Sequence, residues 1–183
     1  MLNIAIDGPA GAGKSTAAKI IAEKLGILYL DTGAMYRAIG LKALRLGIDT
    51  RDAERIAAML PDTAVTIKYI DGSQNIFLDG ENVTPYIREN KVSMAASDVS
   101  AIPAVRVKLV ELQRDIARNN DCILDGRDIG TYVLPSAEYK FYITATAEER
   151  AKRRHKELTD KGVDISYESV LKDIAERDKN DST

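Results

Sequence analysis

Leu2-Asn-Ile-Ala-Ile-Asp7-Gly8-Pro9-Ala10-Gly11-Ala12-Gly13-Lys14-Ser15-Thr16 decides how this chain folds. Leu2 to Ile6 is a short apolar run that fits a buried strand, and it stops at Asp7. Gly8 to Ser15 then spells G-x-x-x-x-G-K-[ST], the loop that cradles a phosphate chain. Beyond it Ala17, Ala18, Ile20, Ile21 and Leu25 recur at helical spacing until Gly26, a plausible C-cap. Strand, glycine loop and helix thus come in the order the motif needs. Only glycine lets such a loop curl with its N–H groups pointing inward, and the next helix adds unsatisfied N–H groups and a positive dipole end. Gly8, Pro9, Ala10, Gly11, Ala12, Gly13, Lys14, Ser15 and Thr16 are therefore expected to hold a nucleoside triphosphate. Lys14 supplies charge to the β- and γ-phosphates, and the Ser15 hydroxyl suits magnesium.

Composition narrows the class. At 183 residues the expectation is one domain with a proper core. Hydrophobic residues at 45% and charged residues at 30% are ordinary for a globular chain and exclude a disordered one. A net charge of -2 argues against a general nucleic-acid binder. The one cysteine, Cys122, excludes a disulfide framework, and the one histidine, His155, leaves little room for a Ser-His-Asp triad. No apolar run approaches the ~18 residues of a membrane span, and the N-terminus does not read as a signal peptide. These features predict a cytoplasmic monomer with small-molecule partners, bound neither to nucleic acid nor to membrane.

The loop alone does not separate a kinase from a GTPase or an ATPase. Ile27-Leu-Tyr-Leu30 reads as a second strand that runs into Asp31-Thr-Gly-Ala-Met-Tyr-Arg37, after which a helix continues to Gly47. Thr32, Tyr36 and Arg37 fall where this strand ends, on the sheet edge that also carries the glycine loop, where ligands of open α/β sheets bind. Asp31-Thr-Gly-Ala-Met-Tyr-Arg37 after such a loop resembles the acceptor-site motif of nucleoside monophosphate kinases. Its tyrosine-containing form is similar to the bacterial-type cytidylate (CMP/dCMP) kinases. Ala96-Ser97, Ile102-Pro-Ala-Val-Arg106, Asp125-Gly-Arg127-Asp128-Ile-Gly130 and Arg177-Asp-Lys-Asn-Asp181-Ser182 agree with that family, so the likeness spans the chain.

The residues make sense on their own terms as well. Cys122-Ile-Leu is an apolar strand ending in Asp125, a position from which a carboxylate reaches magnesium directly or through water. Gly126 and Gly130 let the following loop bend beside a ligand, and Arg127 and Asp128 put opposite charges at that edge. Pro103 opens a long helix through Arg118, with Val105, Leu109, Leu112 and Ile116 on its apolar face and Arg106 at its flank. By resemblance Ser97, Arg106 and Asp128 read cytosine. A carboxylate can accept from the cytosine amine, whereas a carbonyl in its place would set two acceptors against each other. Arg37 and Arg127 are expected at the acceptor phosphate, and Arg177 and Asp181 at ribose and phosphate.

Between Pro61 and Pro85 the α/β rhythm breaks. Val65, Ile67 and Tyr69 alternate with Thr66 and Lys68, Asp71-Gly72 signals a turn, Ile76-Phe-Leu78 follows, and Asp79-Gly80 signals another. This predicts a small antiparallel hairpin or meander, which the resemblance makes a cap over the acceptor. Tyr139 to Ile143 reads as a further strand, and Thr146-Ala-Glu-Glu149 as a capping box. The helix after it carries Arg150, Lys152, Arg153, Arg154 and Lys156 near its start, where the helix dipole does not explain cations. In the kinase reading Arg150, Arg153 and Arg154 belong to a lid over the triphosphate, with Gly162 bending between two helices.

The expected fold is an α/β, P-loop NTPase-type three-layer sandwich with a mostly parallel sheet, an inserted antiparallel β cap and a helical lid. It forms one kinase domain over 1–183, with its core at about 1–60 and 100–183, the insert at about 61–99 and the lid at about 148–168. The resembling family continues past Asp181-Ser-Thr, so its last strand and helix are expected to be missing here, leaving an open sheet edge at Tyr139–Ile143. The expected activity is transfer of the γ-phosphoryl of Mg-ATP to CMP or dCMP. The alternatives are a kinase for another monophosphate, such as UMP, or a P-loop module that binds without transferring. The guanine-reading Asn-Lys-x-Asp of GTPases is absent from the sequence.

Overall fold

β1 (Asn3–Asp7) is buried from Ile4 onward, as its apolar run requires. The computed structural model describes the backbone of residues 1–181 and side chains through Lys179. β1 lies inside a parallel four-stranded sheet with β2 (Leu28–Asp31), β6 (Cys122–Gly126) and β7 (Tyr139–Tyr142), in the order β2-β6-β1-β7. The register sets Asp31 opposite Asp125 and Asp7 opposite Gly126. Three neighbouring strands therefore each carry an aspartate at the same edge, as the last residue of β1 and β2 and the last but one of β6.

The pleat separates the two faces of this sheet. Ile4, Ile6 and Ile123 turn toward α1 (Lys14–Leu25), where Ala18 and Ala22 meet them. Ala5, Leu30, Cys122 and Leu124 turn the other way, into the larger core built with α2 (Thr32–Arg45) and α5 (Pro103–Asn119). The result is the three-layer sandwich expected from the sequence. Gly26 closes α1 in the left-handed conformation, with its N–H bonded back to the last turn.

The insert is a separate antiparallel sheet of β3 (Val65–Ile70), β4 (Ser73–Leu78) and β5 (Glu81–Asn82). Both Asp-Gly pairs adopt positive φ, at 50° and 72° for Asp71-Gly72 and 51° and 89° for Asp79-Gly80, the backbone that two-residue hairpins need. Its buried residues Val65, Ile76 and Leu78 join the larger core. α4 (Asn90–Ser100) follows and crosses α2 closely. A Cβ on Gly40 would sit 3.0 Å from Ala95 and Ala96, so glycine sets that approach.

Besides α4, two short elements were not read from the sequence. α3 (Ala53–Met59) is a two-turn helix capped by the Asp52 side chain, which accepts from the Arg55 N–H at 3.0 Å. Residues Ile129–Val133 form a single wide π turn after β6. At the far end α6 (Ala147–Asp160) begins with the expected capping box between Thr146 and Glu149. α7 (Tyr167–Asp181) folds back on it around a small core of Ala151, Val170 and Ile174, after a bend where Gly162 has φ 77°. β7 bonds to β1 and to no other described strand, and Tyr139, Phe141 and Tyr142 are exposed on it. Among the described residues no helix is long and apolar enough to cross a membrane.

Candidate active site

The carboxyl ends of the strands open into a cleft of about 1420 Å³ that runs from the glycine loop to α4 and α5. At one end the loop holds its shape through its glycines. Gly8 has φ 141°, and a Cβ there would come within 1.9 Å of the Ile143 carbonyl oxygen. Gly13, at φ 100°, caps α1 with no side-chain acceptor, and the first turn carries no acidic residue. The N–H groups of that turn remain available to an anion. Lys14 is buried and donates from Nζ to the Pro9 carbonyl at 2.8 Å.

Asp7 accepts from the Ile129 and Gly130 N–H groups at 2.7 and 2.8 Å, pinning the loop after β6. Beside it the Asp125 carboxylate accepts from Ser15 Oγ at 2.6 Å and Tyr29 Oη at 3.3 Å, while its backbone carbonyl accepts from Thr32 Oγ1. Burial, and then the nearby Asp31 charge, push the Asp125 carboxyl up to about 6. A buried carboxylate facing another carboxylate is short of positive charge. Paired with a hydroxyl, it offers the hard oxygen donors that magnesium takes. Among the described residues no three His, Cys, Asp or Glu side chains group as a metal cage. An ion there would share its coordination with phosphates and water, the usual manner of magnesium.

Asp31 organises the middle of the cleft. Its carboxylate caps α2 by accepting from the Ala34 N–H, and it also accepts from Arg37 Nη2 at 2.8 Å and Arg88 Nη2 at 3.4 Å. Its backbone is clasped by Gln74 of β4, whose Oε1 accepts from the Asp31 N–H at 2.7 Å and whose Nε2 donates to the Asp31 carbonyl at 3.2 Å. Tyr69 Oη donates to the Tyr29 carbonyl at 2.9 Å. The insert is thus bolted to β2 at two points.

At the far end Arg106 and Asp128 form an ion pair, with the Arg106 guanidinium 5.3 Å from the centroid of the Tyr132 ring. Burial, above all, pushes the Tyr36 phenol up to about 12. Ser97 Oγ is buried there, and Arg37 Nε is buried beside Asp31, neither with a hydrogen-bond partner among the described residues. Arg127, by contrast, is exposed, with Nη1 3.3 Å from the Gly126 carbonyl it donates to.

The lid arginines divide. Arg153 and Arg154 line the cleft, and Arg153 Nη1 lies 3.7 Å from where a Cβ on Gly13 would stand. Arg154 pairs with Glu157 at 3.0 Å. Arg150 is only 4% exposed and turns its guanidinium into the protein, onto the Asp178 carboxylate at 2.9 and 2.5 Å and the Ala10 carbonyl at 3.1 Å. It ties α6, α7 and the glycine loop together, because a guanidinium that deep needs several acceptors at once.

The structure brings Ala10 through Thr16, Thr32, Tyr36, Arg37, Ser97, Arg106, Asp125, Arg127, Asp128, Arg150, Arg153, Arg154 and Arg177 to this one cleft. Gly8 and Pro9 shape the loop from behind. The Asp181 side chain lies outside the described residues. Asp31, Gln74, Arg88 and Gln113 were not singled out from the sequence. Arg88 follows Pro85 in a stretch without periodicity, and the Gln74 contact is long-range. Gln113 did leave a signal, as a polar residue two turns from Arg106 on the buried side of α5.

Residues 4–183 match the family model described as "Cytidylate kinase". Over 182 residues the chain is 58% identical to a protein of Caldicellulosiruptor saccharolyticus named "Cytidylate kinase", covering 100% of this chain and 80% of that one. It is 50% identical to one of the same name from Pelotomaculum thermopropionicum, covering 99% and 80%, and to one from Clostridioides difficile, covering 99% and 82%. A solved structure titled "Crystal structure of TT1252 from Thermus thermophilus" aligns with a TM-score of 0.40 and 19% identity over 93% of this chain and 76% of that chain, too loosely to carry an argument. On the strength of the family model and these relatives, the chain belongs to the cytidylate kinase family.

Proposed function

We propose that the chain transfers the γ-phosphoryl group of Mg-ATP to CMP, and to dCMP, giving ADP and CDP or dCDP. One observation supports this most: a single cleft joins a triphosphate-binding loop to a buried, arginine-rich chamber with polar atoms left unmatched. A binding module needs only the first half. Phosphoryl transfer needs both, because the acceptor anion has to be held in line with the donor.

In this reading the loop N–H groups and Lys14 hold the β- and γ-phosphates. Ser15, together with Asp125, holds magnesium, which when bound neutralises charge on the phosphate oxygens. Arg37 and Arg127 hold the acceptor phosphate. The acceptor oxygen forms its bond to the γ-phosphorus as the bond to the β-phosphate bridging oxygen breaks, and that electron pair leaves with ADP. The acceptor is already an anion, so no general base is needed. Arg153 and Arg154 reach the transferring group when the lid closes and excludes water, which would otherwise be the acceptor. Arg150 positions the lid against the loop through Asp178 and Ala10. Ser97, Arg106 and Asp128 read the base, while Thr32, Tyr36 and Arg177 complete the acceptor chamber.

Release of ADP from Mg-ATP, followed with CMP, dCMP, UMP, AMP or no acceptor, tests the proposal. Turnover is expected with CMP and dCMP and to be far slower with the others. Preference for UMP would move the base assignment, and release without any acceptor would replace the transfer reading by hydrolysis.

A further inference from the structure

Gln113 is a polar side chain in a place that favours an apolar one. It lies on α5 in the stripe with Arg106, Leu109, Val110 and Ala117, and only 1% of it is exposed. Leu109, Val110 and Ala117 are buried apolar neighbours on the same face, so leucine or methionine would be the ordinary occupant. Among the described residues neither Oε1 nor Nε2 makes a hydrogen bond of good geometry, though the carboxamide has a loose hydrogen-bonding contact with the Tyr36 phenol. A buried donor and acceptor without well-formed hydrogen bonds weaken the fold.

Gln113 lines the cleft together with Tyr36, Ser97, Arg106 and Asp128. The Tyr36 phenol feels the charges of Arg106 and Asp128 and a hydrogen-bonding contact from Gln113, so these groups are neighbours. The Ser97 hydroxyl is likewise unmatched among the described residues. Ser97 on α4 and Gln113 on α5 thus bring three buried polar atoms, none with a well-formed hydrogen bond among the described residues, to the border of the same cleft.

Building on the proposed acceptor site, we infer that Gln113 is a further base-binding residue, whose carboxamide hydrogen-bonds the polar edge of the acceptor's base. A carboxamide suits a pyrimidine because it offers one acceptor and two donors side by side. Toward cytosine, Oε1 accepts from the exocyclic amine and Nε2 donates to a ring acceptor. Flipped, the same group meets a uracil edge equally well. Gln113 therefore supplies base affinity without choosing between the pyrimidines, and the choice falls to the Asp128 carboxylate. A purine, with a second ring to place, brings a different edge to Gln113.

Gln113→Met tests this, since methionine keeps the length of the side chain and removes both polar ends. Three readings are taken on the full chain: steady-state kinetics with CMP and UMP, direct binding of CMP by calorimetry, and melting without nucleotide. The expected result is a KM and a Kd for CMP raised about tenfold, the range for one or two lost hydrogen bonds. The CMP-to-UMP ratio and the KM for ATP should stay within about twofold of the parent, and the nucleotide-free melting temperature should hold or rise. A variant with unchanged CMP binding overturns the inference. So does a variant that melts several degrees lower with CMP affinity intact, which would make Gln113 a packing residue. If the parent binds CMP without phosphorylating it, the transfer reading fails and the Kd comparison still decides Gln113. If the parent does not bind CMP at all, both fall.

Discussion

Around the glycine loop, buried polar groups are matched from within the protein, whereas the chamber between α4 and α5 keeps several unmatched. Asp7 accepts two backbone N–H groups, Lys14 donates to Pro9, and Asp125 takes two hydroxyls. Across the cleft Ser97 Oγ, Arg37 Nε and both polar ends of Gln113 are buried with no well-formed hydrogen bond among the described residues. The two ends therefore solve different problems. The triphosphate end recognises a group common to all nucleotides with backbone N–H groups and a helix terminus, which are rigid and preset. The acceptor end recognises one base, and side-chain groups left open for it convert a folding penalty into selectivity, because only a matching ligand removes that penalty.

Removing Lys14 is the harshest way to break this comparison. Lys14→Met should lower kcat by about 10²–10³-fold, the range for deleting one preset electrostatic group at a transferring centre. CMP binding measured without ATP should stay within about twofold of the parent. A variant that loses CMP affinity as well would mean the two ends are not separable.

Asp125→Asn comes next and cuts both ways. Burial raises the Asp125 carboxyl to about 6, so the folded protein holds its proton more tightly than the unfolded chain does. The ionised group therefore weakens the fold in full above pH 6 and not at all below about pH 4, the ordinary carboxyl range. In the absence of magnesium and nucleotide, the asparagine variant should melt higher than the parent at pH 7.5, by the equivalent of up to about 3 kcal/mol, with the gain shrinking toward pH 4.5. Its kcat should nevertheless fall about a hundredfold. A variant that melts lower at pH 7.5 would show that the Ser15 and Tyr29 hydrogen bonds outweigh the buried charge.

Asp128→Asn addresses the other end. It removes the negative partner of Arg106 and offers an amide to the base, so kcat/KM for CMP should fall about tenfold while that for UMP falls less. The CMP-to-UMP ratio narrows. An unchanged ratio would take base choice away from Asp128.

The contrast between the two ends also explains how much could be read in the sequence. The triphosphate end is local: strand, glycines, Lys14 and Ser15 lie within sixteen residues, and each residue type follows from backbone geometry or charge. The sheet, both Asp-Gly hairpins and the capping box at Thr146 were legible for the same reason. The acceptor end is assembled from α2, β4, α4, α5 and the loop after β6, far apart in sequence. Tyr36 and Asp128 could be placed at the strand-end edge and Arg106 on the flank of α5, but the base-reading role of Ser97, Arg106 and Asp128 came only through family likeness, while Gln74 and Arg88 came through nothing at all. Arg150 shows the limit most clearly. The basic run and the Gly162 bend placed it in a two-helix lid, but its burial against Asp178 and Ala10 rests on long-range partners that no local pattern encodes.

Gln74→Ala should have the smallest effect, and it sharpens the comparison most finely. Gln74 makes no contact with the glycine loop. Through two hydrogen bonds it clasps Asp31, whose carboxylate holds both Arg37 and Arg88. Losing the clasp leaves Asp31 fixed by β2 and by its cap on α2, so the site should survive with a looser arginine pair. Each bond is worth about 1 kcal/mol, and the Tyr69 contact still ties down the insert. The KM for CMP should rise about three- to fivefold, with the KM for ATP unchanged. An equal rise for both nucleotides would mean that the insert braces the whole strand-end edge. Asp31 stands opposite Asp125 in the register, so that outcome would run the disturbance through the paired strand ends to the triphosphate loop.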